Sequence, residues 1–111
     1  MDKLTQYRAY IHQILEQYAS QTHSYGEIET QVLEDTTHDH YQVCHVGWHQ
    51  DRRIHGCILH LDIKDGKIWI QQNTTEDQIA KTLVELGIPK DDIVLGLHAP
   101  YRRQFTEYAA Q

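Results

Sequence analysis

The chain has 111 residues, of which 40% are hydrophobic, and its 16 acidic against 10 basic side chains give a net charge of −6. A chain of this length is expected to form a single domain over residues 1–111, with a modest core. The acidic balance argues against a protein that binds DNA alone, because that task requires a basic stripe to neutralise phosphates. No stretch approaches the roughly 20 apolar residues of a membrane helix. A charged N-terminus and only two cysteines are typical of a cytoplasmic protein.

The chain starts with the pattern of an amphipathic helix, from about Lys3 to about Gln21. Apolar residues recur there at spacings of three and four, as on one face of a helix. They are Leu4, Tyr7, Ile11, Ile14, Leu15 and Tyr18. Residues 22–26 break the pattern and are expected to form a connection.

Four strands are predicted next, over residues 27–34, 40–49, 53–64 and 67–73. The Asp65-Gly66 pair indicates a two-residue hairpin turn, because both central residues of such a turn need positive φ. This turn predicts cross-strand partners, namely Ile63 with Ile68, Asp62 with Trp69, Leu61 with Ile70 and His60 with Gln71. A loop at Gln50-Asp51 would place Cys44 opposite Cys57 and Tyr41 opposite His60.

A second helix is predicted to open at Thr74–Gln78, where Thr75 and Gln78 have capping-box spacing. Ile79, Leu83 and Leu86 form its apolar stripe, and Gly87-Ile88-Pro89 indicates its end. A brief edge strand over residues 93–96 and a partly helical tail follow. The predicted fold is therefore α+β: an N-terminal helix, an antiparallel meander of about four strands, a second helix, an edge strand and a tail.

Nine histidines raise the question of a metal site. Structural metal sites use ligands that are close in sequence, whereas His45 and His49 would lie about 13 Å apart on one strand. We expect no metal site and no cofactor. Cys44 and Cys57 could form a cross-strand disulfide, but free thiols are expected in a reducing compartment.

A polar patch is predicted on the third strand, where His60 and Asp62 share a face, with Tyr41 and Gln71 alongside. An imidazole beside a carboxylate is where acid–base chemistry begins. The sequence offers no obvious nucleophile, since its only serines are Ser20 and Ser24. We therefore expect no catalytic residues and no enzyme. A binding site for a small molecule or metal at the His60–Asp62 patch stays an alternative.

Aromatic and arginine residues supply the candidates for an interface. Trp48 and Trp69 are predicted to pack as core beneath the helices, with an exposed interface anchor as the alternative. The segment Pro100-Tyr101-Arg102-Arg103 combines a stiff proline with residue types that are enriched at binding hot spots. A solvated tail is the equally weighted alternative for this segment.

Ordered motifs along nearly the whole chain give a resemblance to one family. They are Asp39-His40-Tyr41-Gln42, Val46-Gly47-Trp48, Arg52-Arg53, Gly56-Cys57-Ile58-Leu59-His60-Leu61-Asp62-Ile63, Lys67-Ile68-Trp69-Ile70-Gln71, Leu86-Gly87-Ile88-Pro89, Asp92-Ile93-Val94-Leu95-Gly96 and Pro100-Tyr101-Arg102. The set resembles the XisI-like proteins, the controlling factors for excision of the fdxN DNA element in cyanobacteria.

The resemblance implies a small α+β accessory protein that acts with XisH, a partner that resembles restriction-type nucleases. That pair, together with a recombinase, is required for site-specific DNA rearrangement. The family has no established catalytic residues to carry over. The candidate partner-binding residues are Trp48, Arg52, Arg53, His98, Tyr101, Arg102 and Arg103.

Two further expectations concern partners. An acidic chain could instead inhibit a nuclease partner, as an antitoxin does, by occluding its basic DNA groove. The open edge of a small sheet could also pair with a second copy in a homodimer.

Overall fold

The computed structural model describes residues 2–21 and 27–111, so the predicted connection over residues 22–26 lies outside the described residues. It confirms the α+β class. The elements, in chain order, are α1 (Lys3–Ala19), β1 (Glu27–Asp35), β2 (His40–His49), β3 (Arg52–Lys64), β4 (Lys67–Asn73), α2 (Ile79–Glu85), a 3₁₀ turn (Lys90–Asp92), β5 (Ile93–Val94) and α3 (Pro100–Arg103).

One sheet holds all five strands in the order β1-β2-β3-β4-β5. The first four strands form an antiparallel meander, and β5 adds to its edge in parallel with β4. Both predicted hairpins are present. Asp65 and Gly66 have φ of 54° and 77°, which confirms the tight turn that the Asp-Gly pair predicted.

The helices cover one face of this sheet. The stripe of α1 predicted from the sequence is buried at Tyr7, Ile11, Ile14, Leu15 and Tyr18. It packs in one cluster with α2 and with alternate strand residues, which are Tyr41, Val43, Leu59, Leu61, Ile63, Ile68 and Ile70. Alternation along the strands therefore sends the residues between these to the opposite face.

The second helix starts later than predicted. Thr75 and Gln78 form no capping box: the Thr75 hydroxyl accepts a hydrogen bond from the Asp77 amide at 3.2 Å and donates to the Asn73 side chain at 2.6 Å. The helix begins at Ile79 without a side-chain cap. Its predicted end is confirmed, since Gly87 has a φ of 112° and stops the helix.

Two β-bulges change the predicted register. Cys44 lies opposite Cys57 as predicted, but Ile58 is an extra residue on β3, so Tyr41 pairs with Leu61 and not with His60. Gln71 is likewise extra on β4, so His60 pairs with Gln72 and not with Gln71. A bulge leaves no compositional signal as clear as a turn, because any residue can occupy the extra position.

Among the described residues, no helix combines the length and apolar character needed to cross a membrane.

A partly buried ion pair ties α1 to the β1–β2 turn. The Arg8 guanidinium donates to both oxygens of Asp39, at 2.8 and 3.0 Å, and the Tyr41 hydroxyl donates to the same carboxylate at 2.7 Å. The hydrogen bond from Arg8 holds the pKa of Asp39 below its usual value, despite the opposing effect of burial.

This network predicts an acid-sensitive contribution to stability. The folded pKa of Asp39 lies below its unfolded value of about 3.9, so the contribution is fully present above that value and is lost as the pH falls through the folded pKa. Asp39→Asn keeps the shape, and asparagine tolerates the φ of 60° at this position. Urea unfolding from about pH 7 to about pH 2 should show the wild type more stable at neutral pH and the difference shrinking in acid. A difference that is constant over this range would contradict the assignment.

Candidate functional site

The candidate site lies on the sheet face that α1 and α2 leave uncovered, which we call the open face. Residues that alternate with the core strand residues point there, and those of β2 and β3 are exposed or half-buried. They are His40, Gln42, Cys44, Val46 and Trp48 on β2 with Arg53, His55, Cys57, His60 and Asp62 on β3. Most of them are polar, which is the composition of a surface that meets water or a partner.

Three of these side chains form a compact group, the His–Asp cluster of His40, His60 and Asp62. Asp62 pairs with His40 across β2 and β3, and His60 precedes it by two residues on the same face. Asp62 Oδ1 lies 2.9 Å from His40 Nδ1 and 2.8 Å from His60 Nε2. The other carboxylate oxygen accepts a hydrogen bond of 3.1 Å from Gln71 Nε2.

The structure brings His60, Asp62 and Gln71 of the predicted patch together and places Tyr41 elsewhere. Tyr41 is fully buried on the helix side, where its hydroxyl bonds to Asp39. The bulge at Ile58 explains the change, because it shifts the register by one residue and so places Gln42 opposite His60 and His40 opposite Asp62. Gln71 reaches Asp62 because it occupies the second bulge.

The hydrogen bonds of the cluster favour the charged forms of Asp62 and His40. Burial by itself raises the pKa of Asp62, but hydrogen bonds from His40, His60 and Gln71 outweigh it and leave that pKa below its usual value. The hydrogen bond to Asp62 in turn raises the pKa of His40. The cluster thus presents an ionised carboxylate between two imidazoles.

Among the described residues, neither Ser20 nor the two cysteines contribute a hydroxyl or thiol to this cluster. Ser20 lies at the end of α1, where its hydroxyl donates to the Gln17 carbonyl. Cys44 and Cys57 are opposed free thiols, as expected, and both are half-buried. Burial raises the pKa of Cys57, so its thiol stays protonated and weakly nucleophilic at neutral pH.

Both tryptophans belong to the open face, so the prediction that they pack beneath the helices is wrong. Trp48 is 47% exposed, with the Arg53 guanidinium 5.3 Å from its ring centre. Trp69 is half-buried, and two cationic side chains cover its ring. The Lys64 Nζ lies 4.8 Å from the ring centre and the Arg103 guanidinium carbon lies 5.2 Å from it. Its neighbours Ile68 and Ile70 take the core positions of β4, and alternation then directs Trp69 outwards.

The C-terminal segment presents a second exposed surface. Tyr101 is 65% exposed and Phe105 is 81% exposed, and with Leu97 they form what we call the C-terminal patch. These three large apolar side chains are exposed on the segment that follows β5, and Leu97 is 45% exposed. Arg102 extends over the Tyr101 ring, 5.7 Å from its centre.

Arg103 is held by contacts within the chain. Its Nε donates to the His98 carbonyl at 3.0 Å and its Nη2 to the Gly96 carbonyl at 3.4 Å, while its guanidinium stacks on Trp69. These contacts fasten the C-terminal segment to β4. Arg103 is therefore a positioning residue that holds the C-terminal segment against Trp69.

The structure divides the predicted partner-binding residues into two groups. Trp48, Arg52 and Arg53 lie at the β2–β3 hairpin, and the residues from His98 to Arg103 lie beside β4. His40 is the first residue of β2 and lies at the same end of the sheet as Trp69. Trp48 lies eight residues further along this strand, a distance of about 26 Å. One small contact surface cannot include both groups.

Sequence reasoning missed His40, Leu97 and Phe105 as candidates. His40 could be found only once the bulge fixed the β2–β3 register. Leu97 and Phe105 read as ordinary apolar residues, and both lie outside α3, so no helical spacing marked them as exposed.

Comparison with known proteins agrees with this fold and this sequence. The family model described as XisI protein matches residues 1–110. No curated protein sequence matches the chain. A XisI-like protein from Anabaena variabilis ATCC 29413 is similar in structure, with a TM-score of 0.90 and 48% identity over 96% of this chain and 97% of that one.

A second solved structure is also similar over its full length. It is the fdxN element excision controlling factor XisI from Anabaena variabilis ATCC 29413, with a TM-score of 0.86 and 36% identity over 99% of this chain and 100% of that one. A family match along almost the entire sequence and two such neighbours lead to one conclusion: the chain belongs to the XisI family.

Proposed function

We propose that this chain is a non-enzymatic accessory factor that controls excision of a DNA element by binding an XisH-like, nuclease-related partner. Its family and a structural neighbour named as an excision controlling factor support the general role. The observation that carries partner binding is the C-terminal patch, where an aromatic pair stands in solvent on an anchored segment. Exposed aromatic residues beside an arginine are the composition of interface hot spots.

The charge distribution supports a protein partner over direct DNA binding. Of the 10 basic residues, several are paired with acids inside the chain, as Lys3 is with Asp92, Arg8 with Asp39 and Lys90 with Glu107. The net charge of −6 repels the DNA backbone. Opposite charges would instead increase the rate at which this acidic chain associates with a basic DNA-binding protein.

The test uses two titrations of the purified chain. Calorimetric titration with an XisH-like protein should give saturable binding of defined stoichiometry. Titration with DNA carrying the ends of an excised element should give no specific binding at physiological salt. Specific DNA binding by the chain alone, or no interaction with the XisH-like protein, would contradict the proposal.

Inhibition of a nuclease partner is a second candidate, and the negative charge of the chain favours it. An acidic protein seated on a basic DNA groove excludes DNA by competition. Nuclease activity of the XisH-like partner distinguishes the two roles. Inhibition predicts that cleavage falls in proportion to the added chain, whereas an accessory factor leaves the activity unchanged or increases it.

A further inference from the structure

The His–Asp cluster has a geometry that the partner-binding role does not use. We propose that His40, His60 and Asp62 bind one divalent transition-metal ion of the zinc type. This proposal goes beyond the accessory function and is independent of it. It also departs from the expectation, drawn from the sequence, that the chain has no metal site.

The ligand atoms already converge. His40 Nδ1, His60 Nε2 and one Asp62 oxygen all lie within 4.8 Å of one another. Zinc–ligand bonds of about 2.0–2.2 Å in a tetrahedron separate neighbouring ligand atoms by about 3.3 Å. The two distances to Asp62 Oδ1, 2.9 and 2.8 Å, therefore need to open by only a few tenths of an ångström. Side-chain rotation is sufficient for that change.

The donor set is one that metals select. Two imidazoles and one carboxylate, with positions left open, hold zinc in many enzymes and iron(II) in others. Mg²⁺ and Ca²⁺ would bind poorly to two imidazoles, because those ions prefer oxygen ligands. With three protein ligands, the remaining position would face solvent, since the His40 side chain is 59% exposed. Water would complete the coordination there.

The surroundings hold the ligands in place. All three are carried by the central strands β2 and β3, and Asp62 is the direct cross-strand partner of His40. Gln71 on β4 donates to the second Asp62 oxygen and so orients the carboxylate from outside the cluster. Hydrogen-bonded second partners of this kind typically change metal affinity by 10–100-fold when removed.

A second group supplies an internal comparison. His12, Glu16 and Glu34 also bring ligand atoms within 4.8 Å, and these two groups are the candidates that the described ranges 2–21 and 27–111 contain. All three members of the second group are exposed, and only one is an imidazole. Its residues come from α1 and β1, on the other side of the molecule. We expect no strong transition-metal binding there.

The sequence could not identify the first site because its ligands are not close in sequence in the usual way. His40 and Asp62 are 22 residues apart and meet only through the β2–β3 register. A search for close ligand pairs along the chain passes over such a site.

The experiment is a calorimetric titration of Zn²⁺ into the EDTA-treated, dialysed full chain. We expect saturable binding of one equivalent. His40→Ala and His60→Ala should each weaken it by about a hundredfold or more, and Gln71→Leu by about tenfold. His12→Ala, the matched control in the second group, should leave the affinity unchanged. Bound Co²⁺ should give the visible absorption of a low-coordinate site, and His60→Ala should remove it.

Two results would overturn the proposal: no saturable Zn²⁺ binding by the wild type, or binding that survives His40→Ala and is lost with His12→Ala. Thermal unfolding in EDTA shows whether each variant is folded. If His60→Ala is unfolded, His40→Ala decides the question, because an exposed histidine can be truncated without opening the core.

Discussion

Replacing Tyr101 and Phe105 together by alanine is expected to weaken binding to an XisH-like partner by at least about a hundredfold, while leaving the fold intact. Each ring is more exposed than any core residue, so its removal costs little internal packing. Hot-spot aromatic residues contribute about 2 kcal/mol or more each, and about 1.4 kcal/mol corresponds to a tenfold change in affinity. Calorimetric titration of the double variant against the partner measures the loss.

Leu33→Ala is the control for this experiment. Leu33 is also a large, exposed apolar residue, at 50%, but it lies on β1, three strands from β4. Its truncation should leave the partner affinity unchanged. If the control weakened binding as much as the double variant, the contact surface would be the open face of the sheet. An unchanged affinity of the double variant would remove the C-terminal patch from the interface.

Gly47→Ala is expected to have the largest effect on stability, a loss of about 2–5 kcal/mol in the free energy of unfolding. Gly47 has a φ of 154°, and a Cβ at this position would lie 1.9 Å from the Glu27 carbonyl oxygen. The obstructing atom belongs to the backbone of β1, which pairs with β2 at Ile28. The first strand would have to separate from the sheet to admit the methyl group.

Gly56→Ala is the matched control, since a Cβ on Gly56 meets no atom within 4 Å. Urea unfolding at neutral pH should show this variant at or near wild-type stability. Equal stability of the two variants would mean that β1 yields at no cost and that the close approach at Gly47 is not a constraint. The small size of the chain makes the predicted loss severe, because domains of this kind are stable by only about 5–15 kcal/mol.

Local patterns were sufficient to predict the main elements. The apolar stripe of α1 and the alternation of the strands arise from the helix and strand periods alone, and tertiary contacts only strengthen them. The Asp65-Gly66 turn fixed the nearest pairs, from Ile63–Ile68 to Leu61–Ile70. Register then failed beyond the first irregularity, since each bulge shifts every later pair by one residue.

The assignment of the tryptophans failed for a different reason. Aromatic residues are frequent in cores, but the alternation of β4 already reserved the core positions for Ile68 and Ile70. Trp69 alternates with them and therefore had to face outwards. Applying the strand period to this pair would have given the right face, whereas the general preference of large aromatic residues for cores did not.

The site depends on contacts that no local pattern contains. His60 and Asp62 were recognisable because they share one face of a single strand. His40 joins them across the sheet, and the C-terminal segment reaches Trp69 through Arg103. Such contacts are set by the register of distant segments and by a loop path, so only the folded chain reveals them.

Binding of an XisH-like protein is the basis of the proposed function. Its most direct test is affinity purification of the tagged chain from its native extract at several salt concentrations, with mass spectrometry of every stoichiometric component. We expect to recover an XisH-like protein in constant ratio to the chain, and to lose it with the Tyr101 and Phe105 double variant. Recovery of the chain alone at every salt concentration would contradict the proposed function.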